Sequence, residues 1–321
     1  MHHAVETARV VSAARERFLL SIPTAGEFYA ALSGHLRHTA TLWPATGDWV
    51  TVRDRATIED VHPRRTAIVR KRAGTSFGEQ VLAANVDTVL IVTGLDHDYN
   101  PRRLERYLVL AAESGAQPVV VLNKVDLHAS VAAFVDETSR LCPDVVPISA
   151  RTGEGVDGLE SRLTPGQTSA LIGSSGAGKS TLLNRLLGRS HMRTGEVRES
   201  DHRGRHTTTH RELLTLPNGA FVIDMPGLRE LQLWADPESV GEAFAEIEEL
   251  AQQCRYRDCQ HQGEPGCAVE GHVDSARLAS YRKLQREVAH LERQQDLNAS
   301  LLEKRKWKAI HKAHRNIDKR S

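Results

Sequence analysis

The stretch that decides the fold is Gly173-Ser174-Ser175-Gly176-Ala177-Gly178-Lys179-Ser180-Thr181. Its first eight residues match G-x-x-x-x-G-K-[ST], a loop whose backbone amides bind nucleotide phosphates. Lys179 is expected to bridge the outer phosphates, and the Ser180 hydroxyl is expected to bind Mg²⁺. Glycines let the backbone turn its N–H groups toward the phosphates, and the helix that follows offers its positive end. The stretch therefore predicts a nucleotide-binding site.

A second motif, Asn123-Lys124-Val125-Asp126, matches the N-K-x-D pattern that recognises guanine. Asp126 can accept from the ring N–H and the exocyclic amine of guanine, a donor pair that adenine lacks, so ATP would leave this carboxylate unpaired. Asn123 is expected to meet the carbonyl edge of the base, and the Lys124 stem to lie over its face. Ser149-Ala150 resembles the small loop whose amide contacts the guanine carbonyl. The predicted ligands are GTP and GDP.

The order of these two motifs is informative. The guanine motif precedes the phosphate loop in this chain, whereas ordinary GTP-binding domains place the phosphate loop first. The inverted order predicts a circularly permuted GTPase.

A carboxylate near the metal is expected from Phe221-Val222-Ile223-Asp224-Met225-Pro226-Gly227. Asp224 ends an apolar strand in this pattern, where it can act beside Mg²⁺. The Gly227 amide is expected to meet the terminal phosphate.

The residue after that glycine is Leu228, where many GTPases carry a glutamine that orients the attacking water. A basic, hydroxyl-rich loop is the expected substitute. Thr208 or Thr209 would complete the Mg²⁺ shell, and His206 would position water. Arg205 is an alternative contact to the phosphates, and a merely solvated His206 is the plainer alternative. Without the glutamine, we expect slow intrinsic turnover that a partner accelerates.

The patterning predicts three domains: 1–72, 73–236 and 237–321. The first has five short apolar strands separated by turn residues, typical of an OB-fold-like β-barrel. The second alternates strands and helices and predicts a doubly wound, mostly parallel sheet, with Asn100 capping a helix that starts at Pro101. The third is helical: one helix is expected at Glu238–Leu250, and an apolar stripe later in the domain is expected to pack in its core. The predicted barrel strands are Ala8–Val11, Phe18–Leu20, Phe28–Leu32, Trp49–Val52 and Thr57–Val61.

The third domain holds Cys254, Cys259, His261 and Cys267 in the spacing C-x4-C-x-H-x5-C. Three thiolates and one imidazole form a complete tetrahedral set for Zn²⁺ and leave no open position. The sequence therefore predicts one structural zinc ion, with free thiols as the alternative.

Composition and charge add further expectations. The chain has 321 residues and a net charge of +1. Its last segment, 301–321, has eight Lys or Arg against two acidic residues, which favours a polyanionic partner, with a merely solvated charged segment as the alternative. We find neither a membrane-spanning apolar run nor a leader in the sequence, so a cytoplasmic, membrane-free protein is expected. A monomer is also expected.

The ordered combination of N-K-V-D, S-A, G-x-x-x-x-G-K-S, G-R-H-T-T-T, D-M-P-G and C-x4-C-x-H-x5-C resembles the circularly permuted, ribosome-small-subunit-dependent GTPases of the RsgA (YjeQ) family. The resemblance covers nearly the whole chain. It implies binding to the small ribosomal subunit and its rRNA, late in subunit maturation, with GTP hydrolysis stimulated by the subunit. It also implies a catalytic role for His206, and other subunit-assembly factors as further partners.

Two competing functions fit some of the same features. One is an RNA- or ribosome-binding scaffold whose GTP site is mainly structural or regulatory, which Leu228 favours. The other is a GTPase switch with a protein partner and no RNA, against which the basic tail and the zinc ligands argue.

Overall fold

A computed structural model of the chain describes residues 4–14, 16–39, 42–71, 79–188, 211–225 and 236–293. These residues form two compact units. The first comprises the described residues within Met1–Arg70 and Val81–Gln232, and the second those within Lys71–Gln80 and Leu233–Ser321. The basic segment 301–321 lies outside the described residues.

The N-terminal part of the first unit is a closed five-stranded barrel with strand order β1-β2-β3-β5-β4. Its strands alternate buried and exposed residues, as Trp49–Arg53 illustrates: Val50 and Val52 point into the barrel core. A short helix, α1 (Gly34–Thr39), joins β3 to β4. All five predicted strands are present, and the OB-like barrel is confirmed. The strands are β1 (Val5–Ala13), β2 (Phe18–Ile22), β3 (Gly26–Leu32), β4 (Trp49–Arg53) and β5 (Thr57–Val61).

Two strands that the sequence does not predict follow the barrel. These are β6 (Ala67–Lys71) and β7 (Glu79–Ala84), which form a two-stranded sheet. They lie in the stretch that links the barrel strands to the larger sheet.

The larger sheet has six strands in the order β10-β9-β8-β11-β13-β12. Five of them run parallel, and β12 pairs antiparallel with β13. Strand β8 is buried along most of its length, as expected for a strand covered on both faces. The predicted mostly parallel sheet is therefore confirmed. Its strands are β8 (Thr88–Gly94), β9 (Gln117–Asn123), β10 (Val145–Pro147), β11 (Thr168–Ile172), β12 (Leu213–Thr215) and β13 (Phe221–Asp224).

Helices connect the parallel strands: α2 (Pro101–Ser114), α3 (Ala132–Ser139), α4 (Val156–Glu160) and α5 (Lys179–Leu186). Helix α2 begins as the sequence predicts. The Asn100 side chain accepts from the backbone amides of Arg102 and Arg103, and Pro101 occupies the first turn, where its missing N–H costs nothing. This helix leads the chain from the end of β8 back to the start of β9.

The barrel packs against the start of the β11 and β13 strands through a buried arginine. Arg9 of β1 donates from Nη2 to Thr168 Oγ1 at 2.7 Å, and from Nε to the Gly47 carbonyl at 3.3 Å. Its guanidinium lies 4.9 Å from the ring centroid of Trp49 and 5.2 Å from that of Phe221. An enclosed cation is thus one of the links between the barrel and the six-stranded sheet.

The second unit is helical, with α6 (Pro237–Ala243), α7 (Ala245–Ala251) and a third helix, α8, over 275–293. The single helix predicted for Glu238–Leu250 is wrong, because the backbone leaves helical geometry at Phe244 (φ −128°, ψ 39°). The Phe244 side chain is fully buried, with its ring centroid 5.4 Å from that of Tyr281. The bend therefore coincides with the packing of an aromatic side chain into the core.

Four of the five residues of the predicted apolar stripe pack in that core: Leu278, Tyr281, Leu284 and Val288 are all at most 5% exposed, whereas Leu291 is only partly buried. None of the helices within the described ranges has the length and apolar character needed to cross a membrane.

Candidate functional site

The phosphate loop joins β11 to α5, and two of its glycines are required by the backbone. Gly173 has φ +143° and Gly178 has φ +95°, values that side chains with a Cβ rarely adopt. A Cβ at Gly173 would overlap the Val92 carbonyl, and one at Gly178 would overlap Asn123 Nδ2. The loop therefore passes closely over the ends of β8 and β9.

Lys179 begins α5, and its ammonium group turns back over the loop. Its Nζ donates to the carbonyl oxygens of Gly173 (2.8 Å) and Ser174 (2.6 Å). Ser180 and Thr181 follow in the first turn of the same helix. Lysine and hydroxyl groups are thus placed at the carboxyl end of the parallel strands, where open α/β sheets bind ligands.

Asn123 joins three segments of the site. Its Nδ2 donates to the Ala177 carbonyl in the phosphate loop (2.8 Å), while its Oδ1 accepts from the amides of Lys124 (2.8 Å) and Ala150 (2.9 Å). The side chain is 2% exposed. Asn123 thus fixes the phosphate loop and the Ser149 loop to the end of β9, and its predicted contact with the guanine carbonyl stays a prediction.

The Asp126 carboxylate is held by two neighbours. Ser149 donates from Oγ to its Oδ1, and Arg151 forms an ion pair with its Oδ2. The Ser149 hydrogen bond, followed by that of Arg151, lowers the pKa of Asp126. The carboxylate is therefore ionised at neutral pH, as an acceptor for two guanine donors has to be.

A cavity of about 310 Å³ lies beside this carboxylate. The guanine motif, the Ser149-Ala150 loop and the first turn of α5 all contribute to its walls, as predicted for one shared nucleotide site. Leu127 and Arg151 also line it and were not predicted. The lining residues are Asn123, Lys124, Asp126, Leu127, Ala150, Arg151, Gly178 and Thr181.

Lys124 is held at one side of this cavity. It adopts a left-handed backbone conformation (φ 69°), and its Nζ forms an ion pair with Asp96 Oδ2 at 2.5 Å. Burial alone would raise the pKa of Asp96, but the hydrogen bond from Lys124, the hydrogen bond from the Asp98 amide and the charges of Lys124 and His97 together lower it. The ion pair restrains the lysine stem that is expected to lie over the base.

Asp224 ends β13, directly beside the strand that feeds the phosphate loop. In the parallel register Asp224 lies opposite Leu171 of β11. Burial raises the pKa of its carboxyl, and the positive charge of Lys179 partly offsets this. A cation at this position would favour the ionised carboxylate, as expected of a residue beside Mg²⁺.

Three predicted site residues lie outside the described residues: His206, Thr208 and Gly227. The same holds for Arg205, Thr209 and Leu228. Their expected roles at the terminal phosphate stay predictions.

Two residues that sequence reasoning missed support the loops of the site. Asp98 is 8% exposed; it accepts from Ser174 Oγ in the phosphate loop (2.6 Å) and pairs with Arg103 of α2. Arg185 of α5 donates from Nε to the Ala150 carbonyl (2.7 Å). Asp98 lies between the end of β8 and the helix cap at Asn100, and this position could have identified it as a site residue from the sequence. No local sequence pattern identifies Arg185.

The four predicted zinc ligands converge in the second unit. The ligand atoms of Cys254, Cys259, His261 and Cys267 all lie within 4.8 Å of one another. His261 Nδ1 is 3.6 Å from Cys254 Sγ and 3.5 Å from Cys267 Sγ. Zn–S and Zn–N bonds of about 2.3 and 2.05 Å at the tetrahedral angle place sulfur and nitrogen about 3.5 Å apart. Backbone amides of Ala268 and Glu270 donate to two of the sulfurs, so the donor set fits zinc.

Comparison with known proteins gives the family. A family model described as RsgA GTPase matches residues 61–234. The small ribosomal subunit biogenesis GTPase RsgA of Opitutus terrae is 51% identical over 314 residues, covering 90% of this chain and 86% of that protein. The chain belongs to the RsgA GTPase family. The family resemblance identified from the sequence is therefore confirmed. The chain is a GTPase.

Two solved structures share the fold of this chain. YjeQ from Thermotoga maritima superposes with a TM-score of 0.66 at 26% identity, over 89% of this chain and 99% of that one. The circularly permuted GTPase YloQ superposes with a TM-score of 0.64 at 20% identity, over 90% and 96% of the two chains, and supports the fold. The predicted circular permutation and fold class are confirmed.

A second model, described as ABC transporter, matches residues 156–318. That range includes the phosphate loop, which ATP-hydrolysing and GTP-hydrolysing proteins share. It leaves out Asn123–Asp126, the residues predicted to distinguish guanine from adenine.

Proposed function

We propose that this chain hydrolyses GTP during late maturation of the small ribosomal subunit, and that the subunit stimulates the hydrolysis. The single observation that carries the proposal is the cavity in which the guanine motif and the phosphate-loop helix meet, with Asp126 held ionised at its edge. The RsgA relatives are small ribosomal subunit biogenesis GTPases, which supports the choice of the small subunit as partner.

The nucleotide site of the proposal consists of Asn123–Asp126, Ser149-Ala150 and Gly173–Thr181. Asp126 reads the guanine donors, and the amides of the phosphate loop bind the phosphates. Asn123 acts by holding the two loops at the distance that a nucleotide requires, which its three hydrogen bonds to backbone groups support.

The catalytic part of the proposal assigns Mg²⁺ to Ser180 and Thr208, with Asp224 beside it. Mg²⁺ supplies positive charge to the β- and γ-phosphates when GTP is bound. His206 positions the attacking water, and the Gly227 amide binds the terminal phosphate. The end of β13 beside the phosphate loop supports the position of Asp224.

The proposed division is a barrel (1–72), a GTPase domain (73–236) and a zinc-binding helical domain (237–321). One zinc ion bound by three cysteines and one histidine has a closed shell, so its role is structural. We further propose a monomeric protein whose partners include other subunit-assembly factors.

The decisive test is GTP turnover by the purified protein, alone and with small subunits, large subunits or bare rRNA. Stimulation by small subunits only, and its loss in His206→Ala, is the expected result. His128→Ala is the matched control, because it removes an imidazole that bonds to the Leu95 carbonyl outside the proposed catalytic loop.

Equal turnover in every condition would overturn the choice of partner. Wild-type subunit binding with no GTP hydrolysis under any condition would instead favour the RNA-binding scaffold. Light scattering of the same preparation gives the mass of the particle and tests the proposed monomer.

A further inference from the structure

A second cavity, separate from the nucleotide site, lies within the second unit. It has a volume of about 550 Å³ and is bounded by α7, the zinc-ligand loop and α8. Small-molecule and nucleotide sites usually have volumes of roughly 300–1,000 Å³. Its walls are polar, so an apolar ligand is a poor match.

The strongest observation at this cavity is the guanidinium group of Arg282. Its Nε and Nη2 atoms are buried, and no acceptor within the described chain is in hydrogen-bond range of them. Buried N–H groups almost always find an acceptor, and a cation without one is especially unfavourable. Arg282 lines the cavity, so a ligand there is placed to supply the acceptor oxygens.

The charge of the lining also favours an anion. Three arginines, Arg257, Arg282 and Arg286, line the cavity against one carboxylate, Glu248, and one zinc-ligand thiolate, Cys259, among its described lining residues. Arg282 and Arg286 are one helical turn apart on α8, and like charges at this spacing repel each other. An anion between them would turn this repulsion into two attractive contacts.

The one carboxylate is already engaged. Tyr281 donates from its hydroxyl to Glu248 Oε1 at 2.6 Å, and Gln285 donates from Nε2 to the same hydroxyl at 2.6 Å. The three side chains form a chain of hydrogen bonds along one wall. Glu248 is thus held in place by Tyr281. The three arginines make the net charge of the cavity walls positive.

The remaining walls suit a nucleobase. Tyr256 lines the cavity with 44% of its surface exposed, and Arg255 packs against it with its guanidinium carbon 5.5 Å from the ring centroid. Side-chain amides of Gln260 and Gln262 also line the space. Unpaired RNA bases stack on aromatic and arginine side chains and bond to amides, while arginines bind the phosphates.

We propose that this cavity binds one unpaired nucleotide of an RNA chain, with its phosphate on Arg282 and its base against Tyr256. The choice of RNA rests on the proposed function. The bidentate geometry of a guanidinium suits a phosphate better than an ammonium does, so arginine is the required residue at position 282.

The test uses the full chain and a short fluorescein-labelled oligouridylate, with binding measured by anisotropy at several salt concentrations. Arg282→Gln is expected to weaken binding at least fivefold and to reduce the salt slope by about 1. Tyr256→Ala is expected to weaken binding about fivefold or more without changing the slope. Arg282→Lys keeps the positive charge but lacks the planar, bidentate guanidinium group. Its affinity for the oligonucleotide is therefore expected to lie between those of Arg282→Gln and wild type.

Arg293→Gln is the matched control, because Arg293 is exposed on the same helix and does not line the cavity. It is expected to change binding less than twofold. Zinc content and circular dichroism establish whether each variant is folded. If Arg282→Gln loses zinc, the RNA affinity of Tyr256→Ala decides the proposal, because Tyr256 is exposed and its replacement should not disturb folding.

Wild-type affinity in both Arg282→Gln and Tyr256→Ala would overturn the proposal, as would an equal loss in Arg293→Gln. Competition by free UMP as strong as that by the oligonucleotide would identify a mononucleotide site and overturn the choice of RNA. Competition by a short polyglutamate, with none by the oligonucleotide, would also overturn the choice of RNA and would identify an acidic protein segment as the ligand. Subunit-stimulated GTP turnover by the wild-type protein, measured in parallel, separates failure of this cavity from failure of the proposed function.

Discussion

At the scale of single residues, the carboxylate proposed to recognise guanine is held in place by two neighbours that favour its charged form. Ser149 and Arg151 both donate to Asp126 and lower its pKa. An ionised oxygen pair matches the two donors of guanine. Changing one of these oxygens to an NH₂ group changes which base the site accepts.

The first prediction is therefore a change of base specificity in Asp126→Asn. The new amide N–H would face the exocyclic amine of guanine, and two donors cannot form a hydrogen bond. Xanthine carries a carbonyl at the same ring position, which can accept from this N–H. We expect GTP affinity to fall at least about 100-fold and XTP affinity to rise, as measured by calorimetric titration. Asp144→Asn removes a carboxylate of the exposed Arg162 ion pair and should bind GTP normally. Unchanged GTP binding by Asp126→Asn would refute its role.

The second prediction concerns Asp224, whose pKa is raised by burial. A carboxyl group with a folded-state pKa above its unfolded value of about 4 destabilises the fold as pH rises through the folded pKa. Asp224→Asn should therefore melt at a higher temperature than wild type at pH 7, measured without nucleotide or Mg²⁺, and this gain should vanish near pH 4.

The same variant should lose function while it gains stability. Without the carboxylate beside the metal, Mg²⁺-dependent GTP turnover is expected to fall about 100-fold or more. Asp144→Asn serves again as the control and should show neither effect. A variant that melts lower than wild type at pH 7 would contradict the proposed linkage.

At the scale of structural elements, the site depends on loops that approach strand ends closely. The third prediction is that Gly178→Ala abolishes nucleotide binding, because a Cβ there overlaps Asn123 Nδ2 and φ +95° strains the backbone. Gly158→Ala is the control: it lies in α4 with no atom near its added Cβ, and it should leave binding unchanged or slightly stabilise the fold. Fluorescent GDP titration measures both, and normal binding by Gly178→Ala would contradict the expected clash.

The fourth prediction is that chelation removes one zinc ion per chain and unfolds the ligand loop. A zinc ion bound by three cysteines and His261 would link residues 254–267 to one another, so its loss should also lower the helical signal of the packed α7 and α8. Zinc analysis and circular dichroism are the measurements. Cys142→Ser is the matched control: Cys142 belongs to the first unit and the four ligands to the second, so the variant should leave zinc content unchanged.

The elements that sequence alone predicts are those that depend on local chemistry. The barrel strands follow from alternation, and the start of α2 follows from Asn100 and Pro101. The pairing of β6 with β7 and the bend at Phe244 depend on distant partners, which periodicity does not report. In the site, the motifs predicted Asp126, whereas Arg185 acts through a backbone carbonyl 35 residues away and has no signature.

At the scale of the whole molecule, Arg9 joins the barrel to the six-stranded sheet within the first unit. Its contacts reach Thr168, which is 159 residues away in sequence. The fifth prediction is that Arg9→Ala lowers the free energy of unfolding by about 2–4 kcal/mol, because it opens a cavity and leaves buried acceptors unpaired. Urea unfolding of the first unit, followed by tryptophan fluorescence, measures the change.

Arg55→Ala is the matched control for that variant. Arg55 is another barrel arginine, but its ion pair with Glu6 is exposed, so its removal should cost less than about 1 kcal/mol. Equal losses in the two variants would show that the enclosed position of Arg9 has no special effect on stability.

The permuted order of the sheet also has a consequence for how the chain is made. Strand β8 lies between β9 and β11, so a nascent chain that ends before Thr168 can pair only one of the two edges of β8. The open edge belongs to Val89–Val92, which are fully buried in the finished protein. Translation therefore exposes an apolar strand edge until β11 emerges, and that interval is when the newborn chain is most vulnerable to aggregation.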